Sequence, residues 1–205
     1  RIRRRAVPVR RSAGAGATKS AEKSVGFVGG VESGLIEKFE AGFRAGVKAA
    51  DSEIEIQSSY VGGFNDPTGG KEAALAMYNS GADIIYHASG NTGTGVFQAA
   101  QEKGRFAIGV DRKQSVTKSS YADVILSSMV NRVDTAVFTA VEDVVEGSFE
   151  GGSATTLGLD EDGVAIAYGD QLGSDLPQTV KDEISAARDG IIAGDISVPT
   201  DPSKV

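Results

Sequence analysis

The sequence predicts an α/β fold built on a parallel sheet. Short apolar runs alternate with amphipathic helical patterns at roughly 25-residue intervals, the rhythm of βα units. Four of those runs end in glycine-marked turns: Gly26-Phe27-Val28-Gly29-Gly30, the stretch from Tyr60 to Pro67, the stretch from His87 to Gly95, and Ile108-Gly109-Val110-Asp111. The first three open directly into a helical pattern, as right-handed crossovers between parallel strands require. In an open parallel sheet all four turns lie at the carboxyl edge, where ligands bind.

Residues 25–28 form the first predicted strand. Residues 32–50 then set Leu35, Ile36, Phe39, Phe43 and Val47 three and four apart, giving a helix one apolar face. Residues 53–61 alternate Ile54, Ile56 and Ser58 as a second strand. Pro67 introduces a helix that runs to Asn79 and is stopped by Ser80-Gly81. A buried strand over 83–88, a helix over 95–103 closed by Gly104, and a strand over 106–110 continue the alternation. Beyond Asp111 the rhythm loosens: a polar loop over 112–120, a strand over 123–127, and a helix over 131–146 with Val133, Val137, Val141, Val144 and Val145 on its inner side. Residues 154–159 and 164–168 read as two strands around Asp160-Glu161-Asp162-Gly163, a hairpin-like turn. A last helix begins near Pro177, reaches Ile192 and ends at Gly194.

Composition narrows the function. At 205 residues and 40% apolar the chain can bury a sizeable core, and no stretch approaches the ~18 apolar residues of a membrane helix. Cysteine is absent, so there is no disulfide framework and no thiolate metal site. His87 is the only histidine and sits inside a strand run, which leaves little for a His-based triad or a multi-histidine metal site. Residues 1–25 hold eight of the basic residues and one acidic one; the remaining 180 hold thirteen basic against twenty-seven acidic, a formal charge of −14. A body this acidic repels a phosphate backbone, which argues against nucleic acid as a partner; it fits either a protein kept soluble at high salt or a moderately acidic mesophilic one. Residues 1–24 carry neither period and read as a basic leader, disordered or non-native, with a basic binding arm as the functional alternative.

Three features carry candidate chemistry. The loop Ser89-Gly90-Asn91-Thr92-Gly93-Thr94-Gly95 leaves a strand and enters a helix, so it is either a cradle for a polar ligand or simply a tight turn. It lacks the lysine of a P-loop and the glycine spacing of the dinucleotide fingerprint. Asp111, at a strand end, either accepts hydrogen bonds from a sugar diol or an amine, or caps a turn. Phe64 is a large ring in a glycine-rich turn, free to stack on a base or to fold back on the sheet edge, and Tyr86 is a second aromatic candidate nearby. No nucleophile-base pair, metal-ligand spacing or cofactor motif is visible, so binding is favoured over turnover.

The ordered set Val25-Gly26-Phe27-Val28-Gly29-Gly30, Phe39-Glu40-Ala41-Gly42-Phe43, Gly63-Phe64-Asn65-Asp66-Pro67 with Gly70-Lys71-Glu72, His87-Ala88-Ser89-Gly90 with Gly93-Thr94-Gly95-Val96-Phe97, Ile108-Gly109-Val110-Asp111 and Arg132-Val133-Asp134 resembles the basic membrane protein family. These are the PnrA-like substrate-binding lipoproteins of ABC importers. The resemblance implies a type I periplasmic-binding-protein fold: two flavodoxin/Rossmann-like three-layer α/β lobes, joined by crossover strands, closing on a nucleoside. It implies that Phe64 lies near the base, that Ser89, Gly90, Asn91 and Gly93 line the cleft, and that Asp111 takes the ribose hydroxyls. Asn131 stands where the family often has lysine, so a neutral amide replaces a cation in the hinge region. The implied partners are the nucleoside and an ABC transporter permease, with membrane contact only through a lipid anchor that this chain lacks, outside the cytoplasm. Family members carry a further amino-terminal lobe, so residues 25–127 are expected to form one lobe and 128–205 the crossover segments of a second, incomplete one, as in a truncated form. The competing expectations are a cytoplasmic ligand-sensing regulator on the same fold and a nucleotide- or sugar-dependent α/β enzyme.

Overall fold

The computed structural model describes residues 23–205 apart from 153, 174 and 175. The expected leader falls outside the described residues except at its end, where Lys23 pairs with Asp51 and Glu53 and Ser24 already belongs to the sheet. Six strands form one sheet: β1 (Ser24–Gly29), β2 (Glu55–Tyr60), β3 (Ile84–Ala88), β4 (Phe106–Gly109), β5 (Ile125–Asn131) and β6 (Val164–Tyr168), in the spatial order β2-β1-β3-β4-β5-β6. The first five are parallel, and β6 joins antiparallel to β5. The order reverses between β1 and β3, which puts the topological switch point of the sheet there.

Helices cover both faces, as the strand alternation dictates. Phe27 and Tyr86 point to the side of α1 (Gly34–Ala50), where they pack with Ile36, Phe39 and Phe43. Their strand neighbours Val28 and Ile85 point the other way, into a core with α2 (Pro67–Asn79) and α3 (Gly93–Lys103). Phe27 and Phe97 are fully buried, one in each core, and each contributes about 2–3 kcal/mol of burial. α1 is also tied to the edge strand by Glu40, whose carboxylate accepts from Ser58 and Tyr60 at 2.6 Å and from Arg44 at 2.7 Å. Burial alone would raise the pKa of Glu40; those three hydrogen bonds outweigh it and hold the carboxyl below its ordinary value. This is the expected three-layer α/β sandwich.

The second half departs from the sequence reading. The polar loop over 112–120 contains a short helix, α4 (Gln114–Thr117), followed by a 3-10 turn at Ser119–Tyr121. Residues 154–159 form no strand, so there is no hairpin with 164–168; β6 pairs instead with β5, Ser127 facing Tyr168 and Asn131 facing Val164. The helix α5 (Val133–Glu146) has no inner side among the described residues: Val133, Val137, Phe138, Val141, Val144 and Val145 are all exposed. After α6 (Gln178–Ile192) a 3-10 turn at Pro202–Lys204 packs on α1.

Candidate functional site

The site is built where β1, β3, β4 and β5 end. After β3 the chain enters a 3-10 turn at Gly90–Thr92 and runs straight into α3. Gly90 has φ of +58°, and a Cβ there would stand 3.0 Å from the Phe64 carbonyl, so the turn needs glycine on both counts. The turn is locked to the loop after β2: Thr92 Oγ1 donates to the Gly63 carbonyl at 2.8 Å and accepts from the Asp66 N–H at 2.9 Å. The Asn91 amide donates to Asn65 Oδ1 at 2.8 Å and its own oxygen accepts from Thr94 Oγ1 at 3.0 Å. The half-exposed ring of Phe64 lies over Gly30 at the end of β1, on the switch point.

Asp111, two residues past β4, holds the geometry that marks the candidate site. Its φ is +66°, left-handed backbone in a residue that is not glycine, and the Arg112 N–H donates to the Val110 carbonyl at 2.7 Å. Together these make a tight turn of the γ type, which is strained when its central φ is positive. Such strain costs about 1–3 kcal/mol and persists only where neighbours over-determine it, which is why it points to function. The neighbours are present. Asn131 donates twice, from its backbone N–H to the Asp111 carbonyl at 3.2 Å and from Nδ2 to Asp111 Oδ1 at 2.8 Å. The other carboxylate oxygen takes no donor among the described residues, and the side chain is exposed.

Of the residues expected at the site, Phe64, Gly90, Asn91, Asp111 and Asn131 come together along one edge. Gly90, Asn91 and Asp111 line a shallow cleft of about 260 Å³, completed by Val110, Arg112, Gln114, Thr117 and Lys118. Tyr86, Ser89 and Gly93 sit below it. Tyr86 is buried against Phe27 and Phe43 on the α1 side, and burial pushes its hydroxyl pKa up. Ser89 is fully buried and bonds to His87 Nδ1 at 3.3 Å, and Gly93 leaves room for the His87 ring. The residues that sequence reasoning missed, Arg112, Gln114, Thr117 and Lys118, all come from the loop after Asp111, where α4 turns back over the cleft. The one signal for it was the break in the βα rhythm.

A buried network underlies the cleft. The Val110 N–H donates to Gln114 Oε1 at 2.8 Å, so that atom is an acceptor, and His87 Nε2, 2.9 Å from the same oxygen, must carry the proton. His87 is therefore the neutral Nε2–H tautomer, with Nδ1 free to accept from the Ser89 hydroxyl. Full burial lowers its pKa to about 4, against the hydrogen bond to Gln114, which acts the other way. No cluster of metal-ligating side chains occurs among the described residues, and the one hydroxyl–imidazole contact, Ser89 with His87, is fully buried beneath the cleft; the groups that face the cleft can hold a polar ligand by hydrogen bonds.

The family model of the PnrA-like ABC transporter substrate-binding proteins matches residues 14–201. The chain belongs to that family. An ABC transporter nucleoside-binding protein of Lactococcus lactis is 34% identical over 203 residues, 92% of this chain and 56% of its own length. Among solved structures, an ABC transporter solute-binding protein from Aeropyrum pernix superposes with a TM-score of 0.73 at 26% identity, over 89% of this chain and 58% of that one. A protein described as a transcriptional activator of the comK gene, from Bacillus halodurans, superposes with a TM-score of 0.74 at 25% identity, over 88% and 59%. The chain spans about half the length of the curated relatives it matches.

Proposed function

We propose that this chain forms one wall of the nucleoside-binding cleft of an ABC importer's substrate-binding protein. The observation that carries this reading is Asp111: a carboxylate on a strained turn at the ligand edge, held through one oxygen by Asn131 and open through the other. A single open carboxylate oxygen suits a pair of sugar hydroxyls, with Phe64 set along the same edge to meet the base face. Gly90 and Asn91 line the space between, and Asn131 supplies a neutral donor. The name of the Lactococcus relative supports a nucleoside as the ligand class. The partners would be the nucleoside and a transporter permease, outside the cytoplasm, with no enzymatic turnover. Residues 25–127 would act as the ligand-binding lobe, and the exposed face of α5 would belong to a second one.

One wall binds weakly. Ligand pockets of about 300–1,000 Å³ bury most of their ligand, and a cleft of about 260 Å³ that is open on one side falls below that range. Calorimetric titration with adenosine, guanosine and inosine, each mixture then analysed for products, tests the reading. The expected outcome is saturable heat with affinity weaker than micromolar and no change in the nucleoside. Micromolar or tighter binding would contradict the single wall, and product formation would contradict a binding role.

The likeness to the transcriptional activator favours a second reading, a ligand-sensing regulator on the same fold. The acidic body counts against direct contact with DNA. A mobility-shift assay at low salt separates the two, since a nucleic-acid-binding form would retard DNA and an importer component would not.

A further inference from the structure

Several side chains converge beneath Asp111, and one of them, which also lines the cleft, joins the others. Gln114 opens α4, and its Oε1 accepts both the N–H of Val110, the first residue of the strained turn, and the His87 Nε2–H from the end of β3. Its backbone N–H donates to Ser128 Oγ on β5 at 3.1 Å. The ends of three adjacent strands thus meet on one glutamine. The fit is close: a Cβ on Gly109 would stand 2.4 Å from Gln114 Oε1 and 2.7 Å from Ser128 Oγ, so β4 passes this point only as glycine. α4 is itself clamped from outside, where the Ser115 hydroxyl donates to Asp170 at 2.8 Å and Lys113 pairs with the same carboxylate, just past β6.

We propose that Gln114 is the positioning residue of the ligand edge, holding the Val110–Asp111–Arg112 turn in its strained form and so aiming the Asp111 carboxylate. The proposal rests on the reading of Asp111 as the group that meets the ligand. The reasoning is mechanical. A residue with positive φ relaxes when its neighbours let go. Asn131 fixes Asp111 from beyond the turn, and among the described residues the one side-chain bond on the near side is that from the Val110 N–H to Gln114 Oε1. His87 fills the second acceptor site of Gln114 Oε1 and keeps the amide from rotating, because a rotated amide would set its NH2 group against the Val110 N–H. Buried His87 therefore serves the site as a lock on Gln114. The charged groups that act on it are Asp111 and Lys118, with opposite sign.

Nitrogen-15 spectra of the intact 205-residue chain test this without any ligand. In the wild type the sole imidazole is expected as the Nε2–H tautomer, and the Asn131 side-chain amide is expected at shifts set by its bond to Asp111. Gln114→Leu should leave the spectrum folded, speed exchange of the Val110 amide roughly tenfold, the loss of about one hydrogen bond, and move the Asn131 side-chain amide toward free values. Gln114→Glu keeps an oxygen for both donors, so it should restore the Val110 protection and the Asn131 shift while raising the pH at which His87 titrates. A wild-type Nδ1–H tautomer would overturn the proposal even if the leucine variant does not fold. So would an unmoved Asn131 amide in folded Gln114→Leu, or failure of Gln114→Glu to rescue. A nucleoside titration without response would defeat the proposed function and leave these readings as they are.

Discussion

His87 shows how one residue can carry a measurable energetic signature. Buried and neutral, it has a folded pKa of about 4 against an ordinary 6.5, with desolvation the largest cause. The folded state thus binds the proton less readily than the unfolded chain. Its contribution to stability is complete above pH 6.5 and is lost as pH falls toward 4, on the order of 3 kcal/mol in all. Because it is the only histidine, the comparison is clean. Chemical denaturation of the wild type and of His87→Gln between pH 7 and pH 4 should show the difference in stability between them shrinking by that order as pH falls. A constant difference would contradict the buried neutral ring. Asp111 behaves differently: Asn tolerates left-handed backbone, so Asp111→Asn is expected to change stability by less than about 1 kcal/mol, measured by the same unfolding, while removing the charge that we propose meets the ligand.

At the level of elements, burial separates the helices into two kinds. α3 buries Phe97 fully between the sheet and its neighbours, whereas α5 buries nothing among the described residues. Phe97→Ala is expected to cost about 3–5 kcal/mol, and Val141→Ser within about 0.5 kcal/mol of nothing, in urea unfolding. A large loss from Val141→Ser would mean that α5 is covered in this chain. The same contrast explains what the sequence could reveal. The parallel strands and α1 to α3 were legible because each hydrophobic stripe meets the sheet that its period predicts. α5 has an equally clear stripe, which fixed its extent and misdirected its side, since periodicity reports an apolar face and not what covers it. β6 was placed correctly and paired wrongly, because a turn-like Asp160-Glu161-Asp162-Gly163 says nothing of the long-range partner on β5. Of the residues that line the cleft, Gly90, Asn91 and Asp111 were readable from their strand-end positions. Gln114 and Lys118 were hidden in a polar loop whose one-turn helix is too short to leave a period.

For the whole molecule, the charge of −14 over residues 26–205 sets the solution behaviour. Screening shortens from ~10 Å at 0.1 M salt to ~3 Å at 1 M, so self-repulsion of the folded body is expected to fall and Tm to rise as potassium chloride is increased over that range. A falling Tm in a thermal scan would show that specific ion pairs such as Arg105 with Asp83 outweigh the repulsion. The central claim is also a statement about the whole molecule: one sheet edge, assembled from four strand ends and their loops, is the ligand surface. Amide chemical-shift mapping with inosine at millimolar concentration, on the wild type beside Asp111→Asn, tests it most directly. The account predicts shifts confined to Phe64, Gly90, Asn91, Asp111, Arg112 and Asn131, strongly reduced in the variant; shifts elsewhere on the fold, or the same shifts in both chains, would contradict it.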